Sequence, residues 1–212
     1  MSIADYDARS TALLLLDPYN DFLTEGGKLF PRFQAVAEAN NLVPNLVELT
    51  ETARDFGIQV MYVPHRRWRT GDFEAWAFPN PSQLERMETH TFEDGTWGGQ
   101  FRDDLLPELG DVIIAEHWAQ NGFVNTDLAL QLQQHGVTHT ILAGMVANTC
   151  IESTGRYAME LGHHVTLVSD ATAAVTPEMM HAAHVLNGPS YAHSIVTTEE
   201  LTAALRESRG CR

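Results

Sequence analysis

Short, largely apolar runs alternate along this chain with stretches in which apolar residues recur at helical spacing. The first run, Ala12 to Leu16, ends at Asp17-Pro18, as a strand buried on both faces would. Further runs of this kind lie at 58–63, 111–115, 140–143, 164–168 and 194–196. Strands that alternate with helices build a mostly parallel sheet with helices on both faces. The sequence therefore predicts a doubly wound α/β fold of about six strands.

The helices between these runs carry their own start and stop signals. Apolar residues between Val43 and Phe56 recur near helical spacing, and Gly57 ends that helix. Thr197 and Glu200 have the spacing of a capping box, which begins a helix. Further helices are predicted near 125–136, 150–161 and after 176.

Composition excludes several classes of partner. The chain has 13 Lys and Arg residues against 28 Asp and Glu residues, a net charge of −15, so nucleic acids and anionic membrane surfaces would be repelled. The N-terminus is acidic and polar, unlike a secretory signal, and no apolar run is long enough to cross a membrane. The two cysteines, Cys150 and Cys211, provide no disulfide framework, which favours a cytoplasmic location. No nucleotide-binding motif is present.

We predict one domain over residues 1–212, with an aromatic-rich insert at 66–101. The insert shows the pattern of neither a strand nor a regular helix. It contains Trp68, Trp76 and Trp97, three of the four tryptophans. Long irregular insertions are typical of lids and binding loops, and exposed aromatic residues are also typical of subunit contacts, so both interpretations stay open.

Chemically useful residues follow the predicted strands. Ligands of open α/β sheets bind beyond the carboxyl ends of the strands, where this chain has Asp17, His65, Glu116, Cys150 and Asp170.

Cys150 and Asp17 are the strongest candidates for catalysis. Cys150 begins a predicted helix, where free N–H groups and the helix dipole favour a thiolate and could hold an oxyanion. Asp17 ends an apolar strand, where a carboxylate is costly to bury, and it could accept the proton of a thiol. The structural alternatives are an inert buried cysteine and an Asp-Pro turn.

At these positions the sequence resembles the isochorismatase-like cysteine hydrolases. That superfamily includes nicotinamidases, N-carbamoylsarcosine amidases, ureidoacrylate amidohydrolases and isochorismatases. The resemblance covers the chain roughly from Thr11 to Leu205. The segments that carry it are Leu-Leu-Leu-Asp17-Pro-Tyr-Asn20-Asp21-Phe22 with Gly26-Gly27, Gly144-Met-Val-Ala-Asn148-Thr-Cys150-Ile-Glu152-Ser-Thr154, and Asp170-Ala-Thr172.

The resemblance implies a sheet of order 3-2-1-4-5-6, an Asp-Lys-Cys triad, no cofactor, and a homodimer or homotetramer. Asp17 would be the general base and Cys150 the nucleophile. The backbone N–H groups of Ala147 and Cys150 would form the oxyanion hole, with a cis peptide at Val146–Ala147.

The chain departs from this family at the lysine that follows the third strand, because Glu116 stands there. Two carboxylates beside a thiol would raise the pKa of at least one of them, and a protonated Glu116 could donate to a leaving group. We therefore predict Glu116 as a third catalytic residue. Lys28, Arg66 or Arg67 could instead restore the lost positive charge.

These observations predict a cysteine hydrolase that cleaves a small amide, ureido or similar C–N bond through a Cys150 thioester. The alternatives are an isochorismatase-type vinyl-ether hydrolase and an inactive, metabolite-binding member of the fold. No metal is expected, because His65 lacks the Asp-x-His and further histidines of the nicotinamidase site. The side chains expected to wall the substrate pocket are Tyr19, Phe22, His65, Trp68, Trp97 and Trp118.

Overall fold

In the computed structural model, residues 6–210 are described, and a six-stranded, all-parallel sheet forms their centre. The strand order is β3-β2-β1-β4-β5-β6, which confirms the predicted order and the α/β class. Residues 1–5 of the N-terminus and Cys211, which entered the sequence argument, lie outside the described residues. The strands are β1 Thr11–Leu16, β2 Gln59–Val63, β3 Val112–Ile113, β4 His139–Met145, β5 His164–Ala173 and β6 Ser194–Val196.

Helices cover both faces of this sheet. They are α1 Asn20–Leu23, α2 Phe30–Ala39, α3 Leu42–Asp55, α4 Pro81–Thr89, α5 Leu128–Gln134, α6 Glu152–Glu160, α7 Pro177–His181 and α8 Thr198–Gly210. Two π-helical turns, Ala147–Ile151 and Ala182–Asn187, precede α6 and follow α7. The predicted capping box of α8 is present, since the N–H of Glu200 donates to the hydroxyl of Thr197 and the N–H of Thr197 to the carboxylate of Glu200.

The insert contains a regular helix, which corrects its interpretation as neither strand nor helix. Asn80 accepts from the N–H of Gln83, and the Gln83 side chain accepts from the N–H of Asn80. This reciprocal cap, together with Pro81 at the first helical position, begins α4.

The alternation of side chains along β1 explains why the sheet needs two helical layers. All six residues of β1 are buried. Leu13 and Leu15 belong to the apolar core beneath α2, α3 and α8, whereas Leu14 and Leu16 pack into the core beneath α5 and α6. A strand buried on both faces is a nearly continuous apolar run, as β1 is.

The two central strands, β1 and β4, approach closely at their carboxyl ends. Leu16 is the partner of Gly144 in the register. Gly144 has a φ of +111°, and a Cβ there would overlap the carbonyl oxygen of Leu16. Only glycine fits this position. The close approach of the two strands places the residue after β1 next to the turn after β4.

No helix in the described part of the chain is both long and apolar enough to cross a membrane.

Candidate active site

Asp17 and Cys150 meet at the carboxyl edge of the sheet, where β1 and β4 end. Asp17 has no exposed surface, and its φ of +53° is uncommon for a residue other than glycine. Cys150 is 6% exposed and follows the turn after β4. The topology thus brings together the two residues that the sequence singled out most strongly.

His117, which the sequence analysis did not select, is the hydrogen-bond partner of Asp17. Its Nε2 lies 3.1 Å from Oδ1 of Asp17, and both side chains are fully buried. One nitrogen of His117, one oxygen of Asp17 and the sulfur of Cys150 all lie within 4.8 Å of one another. The second carboxylate oxygen, Oδ2 of Asp17, is buried without a hydrogen-bond partner among the described residues.

The hydrogen bonds of His117 fix the orientation of its ring. Its Nδ1 lies 3.0 Å from the carbonyl oxygen of Ala119, and its Nε2 faces Oδ1 of Asp17. The ring thus bridges the Asp17 carboxylate and the backbone of the loop after β3.

Burial disfavours a thiolate at Cys150. Burial, and then the Asp17 carboxylate beside it, raise the pKa of Cys150 well above its usual value. The hydroxyl of Thr149 and the backbone N–H of Val146 lower the pKa, with smaller effects. This direction runs against the thiolate expected from the sequence, because burial and a neighbouring carboxylate outweigh the donors at the start of the helix.

The turn before Cys150 differs in detail from the expectation. The cis peptide is Met145–Val146, one residue earlier than predicted. The backbone N–H group that acts on the Cys150 sulfur is that of Val146, and the sequence analysis named Ala147 for the oxyanion hole. The carbonyl oxygen of Val146 accepts hydrogen bonds from the N–H groups of Thr149 and Ile151. It accepts none from the N–H group of Cys150, which lies between them in the chain.

Glu116 does not take the place beside Asp17 that the sequence analysis gave it. Its carboxylate lies 2.7 Å from Nη1 of Arg67 and 3.6 Å from Nη1 of Arg66. The next residue, His117, bonds through its backbone to the chain that continues β2, at Pro64 and Arg66. Neighbouring residues of an extended chain point in opposite directions, so His117 faces Asp17 and Glu116 faces the arginines.

A cavity of about 220 Å³ opens onto Cys150. Its aromatic wall consists of Phe22, Phe33 and Phe92, and of the side chains expected to form the wall, Phe22 and His65 line it. Helix α4 supplies Ser82, Glu85 and Arg86, so the insert contributes one wall of the cavity.

The other side chains expected to form the wall lie elsewhere. Tyr19 is buried behind Phe92, with ring centroids 4.8 Å apart. Trp68 stacks on His90 at 3.6 Å, and Trp97 is 46% exposed. Trp118 lies beneath the guanidinium of Arg66 and lines a neighbouring groove together with Trp76. None of these four side chains lines the Cys150 cavity, whose aromatic wall consists of phenylalanines.

Arg86 is the buried cation of this cavity, and sequence reasoning missed it. Its Nη1 and Nη2 lie 2.8 and 2.9 Å from the ring nitrogens of His65. Burial, and then the Arg86 charge, lower the pKa of His65 well below its usual value, which keeps the ring neutral. Lys28, proposed as a source of positive charge, instead donates to the carbonyl of His90. The capping signal at Asn80 was the available indication that Arg86 belongs to a helix.

Asp17, His117 and Cys150 are also the donor set that could hold a metal ion. Among the described residues they form the group of three potential ligands that lie within 4.8 Å of one another. These are the side chains with which a cysteine nucleophile and its base would work, so an ion there would compete with that chemistry.

Comparisons with known proteins identify the family of this chain. The model of the isochorismatase domain family matches residues 11–200. The ureidoacrylate amidohydrolase RutB of Rhizobium rhizogenes is 25% identical over 209 residues, which cover 93% of this chain and 84% of that protein. A "probable inactive nicotinamidase" of Arabidopsis thaliana is 34% identical over 181 residues, which cover 84% of this chain and 88% of that protein.

Solved structures show the same fold. A cysteine hydrolase from Pseudomonas syringae pv. phaseolicola superposes with a TM-score of 0.77 at 23% identity, covering 98% of this chain and 100% of the other. The N-carbamoylsarcosine amidase of Thermoplasma acidophilum superposes with a TM-score of 0.67 at 25% identity, covering 90% and 97%.

Proposed function

This chain belongs to the isochorismatase family of hydrolases, and we propose that it cleaves a small amide, ureido or similar C–N bond with Cys150 as the nucleophile. The observation that carries the proposal is the cluster of Cys150, Asp17 and His117 within 4.8 Å at the end of a cavity. A thiol next to a base, with a third group that orients the base, is the arrangement that acyl transfer by a cysteine needs.

In the first step the sulfur of Cys150 attacks the carbonyl carbon of the substrate. The thiol proton moves to Oδ2 of Asp17, which has no other hydrogen-bond partner. A C–S bond forms, and the carbonyl electrons move to the oxygen. The N–H groups of Cys150 and Val146 would hold this oxyanion, since both lie at the turn around the sulfur.

The second half of the reaction releases the two products. The C–N bond breaks, and the departing nitrogen takes the proton from Asp17 and leaves as ammonia or an amine. Water then loses a proton to Asp17 and attacks the thioester. The C–S bond breaks, the acid departs, and the sulfur recovers its proton from Asp17.

His117 acts through Asp17 and is a positioning residue. A buried carboxylate is costly without a partner, and the N–H of His117 provides one without occupying Oδ2. In the family that this chain resembles, a lysine takes the corresponding role; here we assign it to His117, with Glu116 in a supporting ion pair outside the cluster.

The proposal is tested by a panel of small amides and ureides scored for release of ammonia or amine. Wild type and Cys150→Ala are compared, with His181→Gln, an exposed residue of α7, as a control for substitution itself. We expect turnover of at least one substrate by wild type and the control, and none by Cys150→Ala. Undiminished hydrolysis by Cys150→Ala would overturn the proposal.

A further inference from the structure

The cluster that the proposed reaction uses is also a set of metal ligands. Asp17, His117 and Cys150 offer an oxygen, a nitrogen and a sulfur, and these three atoms lie within 4.8 Å of one another. Within residues 6–210, no other group of three such side chains meets this limit. Zinc binds thiolate, imidazole and carboxylate ligands, whereas calcium and magnesium bind oxygen ligands. The donor set therefore favours Zn²⁺.

The spacing of the ligand atoms suits a tetrahedral ion. Nε2 of His117 lies 3.1 Å from Oδ1 of Asp17, and two such ligands of a tetrahedral zinc ion lie about 3.3 Å apart. The sulfur of Cys150 lies within 4.8 Å of both atoms, and as a zinc ligand it would approach them to about 3.6 Å. Rotation of one side chain is sufficient to close a difference of this size.

His117 is oriented in the way that metal-bound histidines are. Its Nδ1 lies 3.0 Å from the carbonyl oxygen of Ala119, while its Nε2 faces Asp17. Histidines that bind a metal almost always place their second nitrogen against a carboxylate, a carbonyl or water, which fixes the ring toward the ion. Oδ2 of Asp17 is buried without a hydrogen-bond partner among the described residues, so the carboxylate has a second oxygen to offer. Two of the three ligands are thus positioned before an ion arrives.

The cluster can be reached from one side. Cys150 lines the cavity of about 220 Å³, whereas Asp17 and His117 lie behind it and have no exposed surface. An ion would enter through this cavity and bind between the sulfur and the other two ligands. Three protein ligands leave the fourth position of a tetrahedral ion to a water molecule from the cavity.

The charges of the cluster balance those of one divalent ion. The carboxylate of Asp17 and a thiolate at Cys150 supply two negative charges, and the proton that zinc displaces from the thiol passes to solvent. Arg86 opposes the ion. Burial lowers the pKa of Arg86, and the charges of Asp17 and then Cys150 raise it, so this cation already interacts with two of the ligands. Three ligands and a nearby cation favour an ion that binds reversibly over a structural one, which has four protein ligands.

The donor set depends on His117. In the family that this chain resembles, a lysine takes the corresponding role beside the aspartate, and a protonated lysine has no lone pair to give to a metal. An imidazole can accept a metal ion at the same place. The sequence analysis considered a metal only at His65, which is not part of this set.

We propose that Asp17, His117 and Cys150 form a reversible Zn²⁺ site and that bound zinc switches the hydrolase off. The ion would occupy the sulfur that attacks the substrate and the carboxylate that accepts the thiol proton, so neither could react. The switch rests on the proposed function, because it needs the cysteine reaction to exist. The binding of zinc does not rest on it.

The test uses Co²⁺ as a spectroscopic probe of the zinc site. A thiolate bound to Co²⁺ gives a charge-transfer band in the near ultraviolet, and tetrahedral Co²⁺ absorbs visible light more strongly than the octahedral aqueous ion. The reference protein has no affinity tag and carries Cys211→Ser, which leaves Cys150 as its single cysteine. Equilibrium dialysis of the same protein against Zn²⁺ measures stoichiometry and affinity.

We expect one Zn²⁺ per chain and a thiolate-to-cobalt band in the reference protein. Cys150→Ala should lose the band. Cys150→Ser, which is close in shape to the native residue, should lose it too and guards against a folding defect in the alanine variant. His117→Gln should weaken Zn²⁺ binding about 100-fold or more, because even the partners of metal ligands contribute about 10- to 100-fold.

Two histidine variants serve as matched controls. His181 is an exposed residue of α7. His164 lies at the start of β5, at the opposite edge of the sheet, where its ring stacks between those of His139 and His193 at centroid distances of 4.9 and 4.6 Å. His181→Gln and His164→Gln should both keep the band and bind Zn²⁺ within about twofold of the reference protein.

A band that persists in Cys150→Ser, or a Zn²⁺ affinity that His117→Gln leaves unchanged, would overturn the site. Where the panel yields a substrate, Zn²⁺ at ten times its Kd should lower the rate of the reference protein about tenfold, and EDTA should restore it. Full turnover at this zinc concentration, or turnover that requires zinc, would overturn the switch. If Co²⁺ binds through Cys150 but nothing in the panel is hydrolysed, the proposed function fails and the zinc site stands.

Discussion

Nε2 of His117 lies 3.1 Å from Oδ1 of Asp17, and neither side chain has exposed surface. This pair anchors the carboxylate that the proposed reaction uses as its base. Nδ1 of His117 lies 3.0 Å from the carbonyl oxygen of Ala119, so the ring is held on both sides. In the proposed reaction, the base of Cys150 thus depends on this histidine for its position.

The first prediction concerns that histidine. His117→Gln keeps a donor for Asp17 but removes the ring that bridges Asp17 and Ala119, so Asp17 is less precisely placed and kcat/KM should fall about 100-fold while the melting temperature changes little. The pH profile of kcat/KM should also change shape, which a purely structural residue would not cause. His181→Gln serves as the exposed control. A wild-type rate and profile for His117→Gln would remove His117 from the mechanism.

The second prediction is that Glu116 contributes to stability and not to catalysis, whereas the sequence alone predicted a catalytic residue. Its carboxylate is bound to Arg67 and Arg66, so Glu116→Gln should cost about 1 kcal/mol of stability and leave kcat within about twofold. Glu116→Lys should be worse for stability, because it places three cations together. Urea unfolding and steady-state kinetics check both variants. A loss of kcat in Glu116→Gln without a loss of stability would restore Glu116 as a catalytic residue.

Gly144 should tolerate no side chain. A Cβ there overlaps the carbonyl oxygen of Leu16, so Gly144→Ala should cost about 3 kcal/mol or more. Gly57 is the matched control, since its φ is +73° but nothing lies within 4 Å of the added Cβ. Gly57→Ala should cost about 1–2 kcal/mol. Similar unfolding midpoints for the two variants would contradict the close approach of β1 and β4.

Stability should fall as the pH falls through the range in which histidine titrates. Burial lowers the pKa of His184 from 6.5 in the folded state, so below about pH 6.5 the unfolded chain binds the proton more readily. Each such group costs at most about 1.4 kcal/mol per pH unit. Urea midpoints at about pH 7.5 and 5.5 should differ less in His184→Gln than in wild type. Identical pH dependence in both would contradict this assignment.

The sequence was sufficient for the sheet and for the two residues that the sheet order brings together. The central strands are largely apolar runs, and Asp17 and Cys150 follow two runs that become neighbours, β1 and β4. The order of the strands came from the family resemblance. The observed strand pairing confirms it.

The rest of the site depends on features that the spacing of apolar residues along the sequence does not predict. β3 is only Val112–Ile113, too short for alternation to show that His117 and not Glu116 faces inward. Helix α4 contains few apolar residues, so its pattern predicts no buried face although Arg86 is buried there. Tryptophans were expected to line the cavity, but their stacking partners could be known only from the folded chain.

The most direct measurement is the mass of the enzyme stopped with acid during turnover of a substrate found in the panel. The account predicts an adduct equal to the acyl part of the substrate, mapped to the peptide that contains Cys150, and no adduct and no turnover in Cys150→Ala. Rapid turnover without an adduct, together with an active Cys150→Ala variant, would contradict the account.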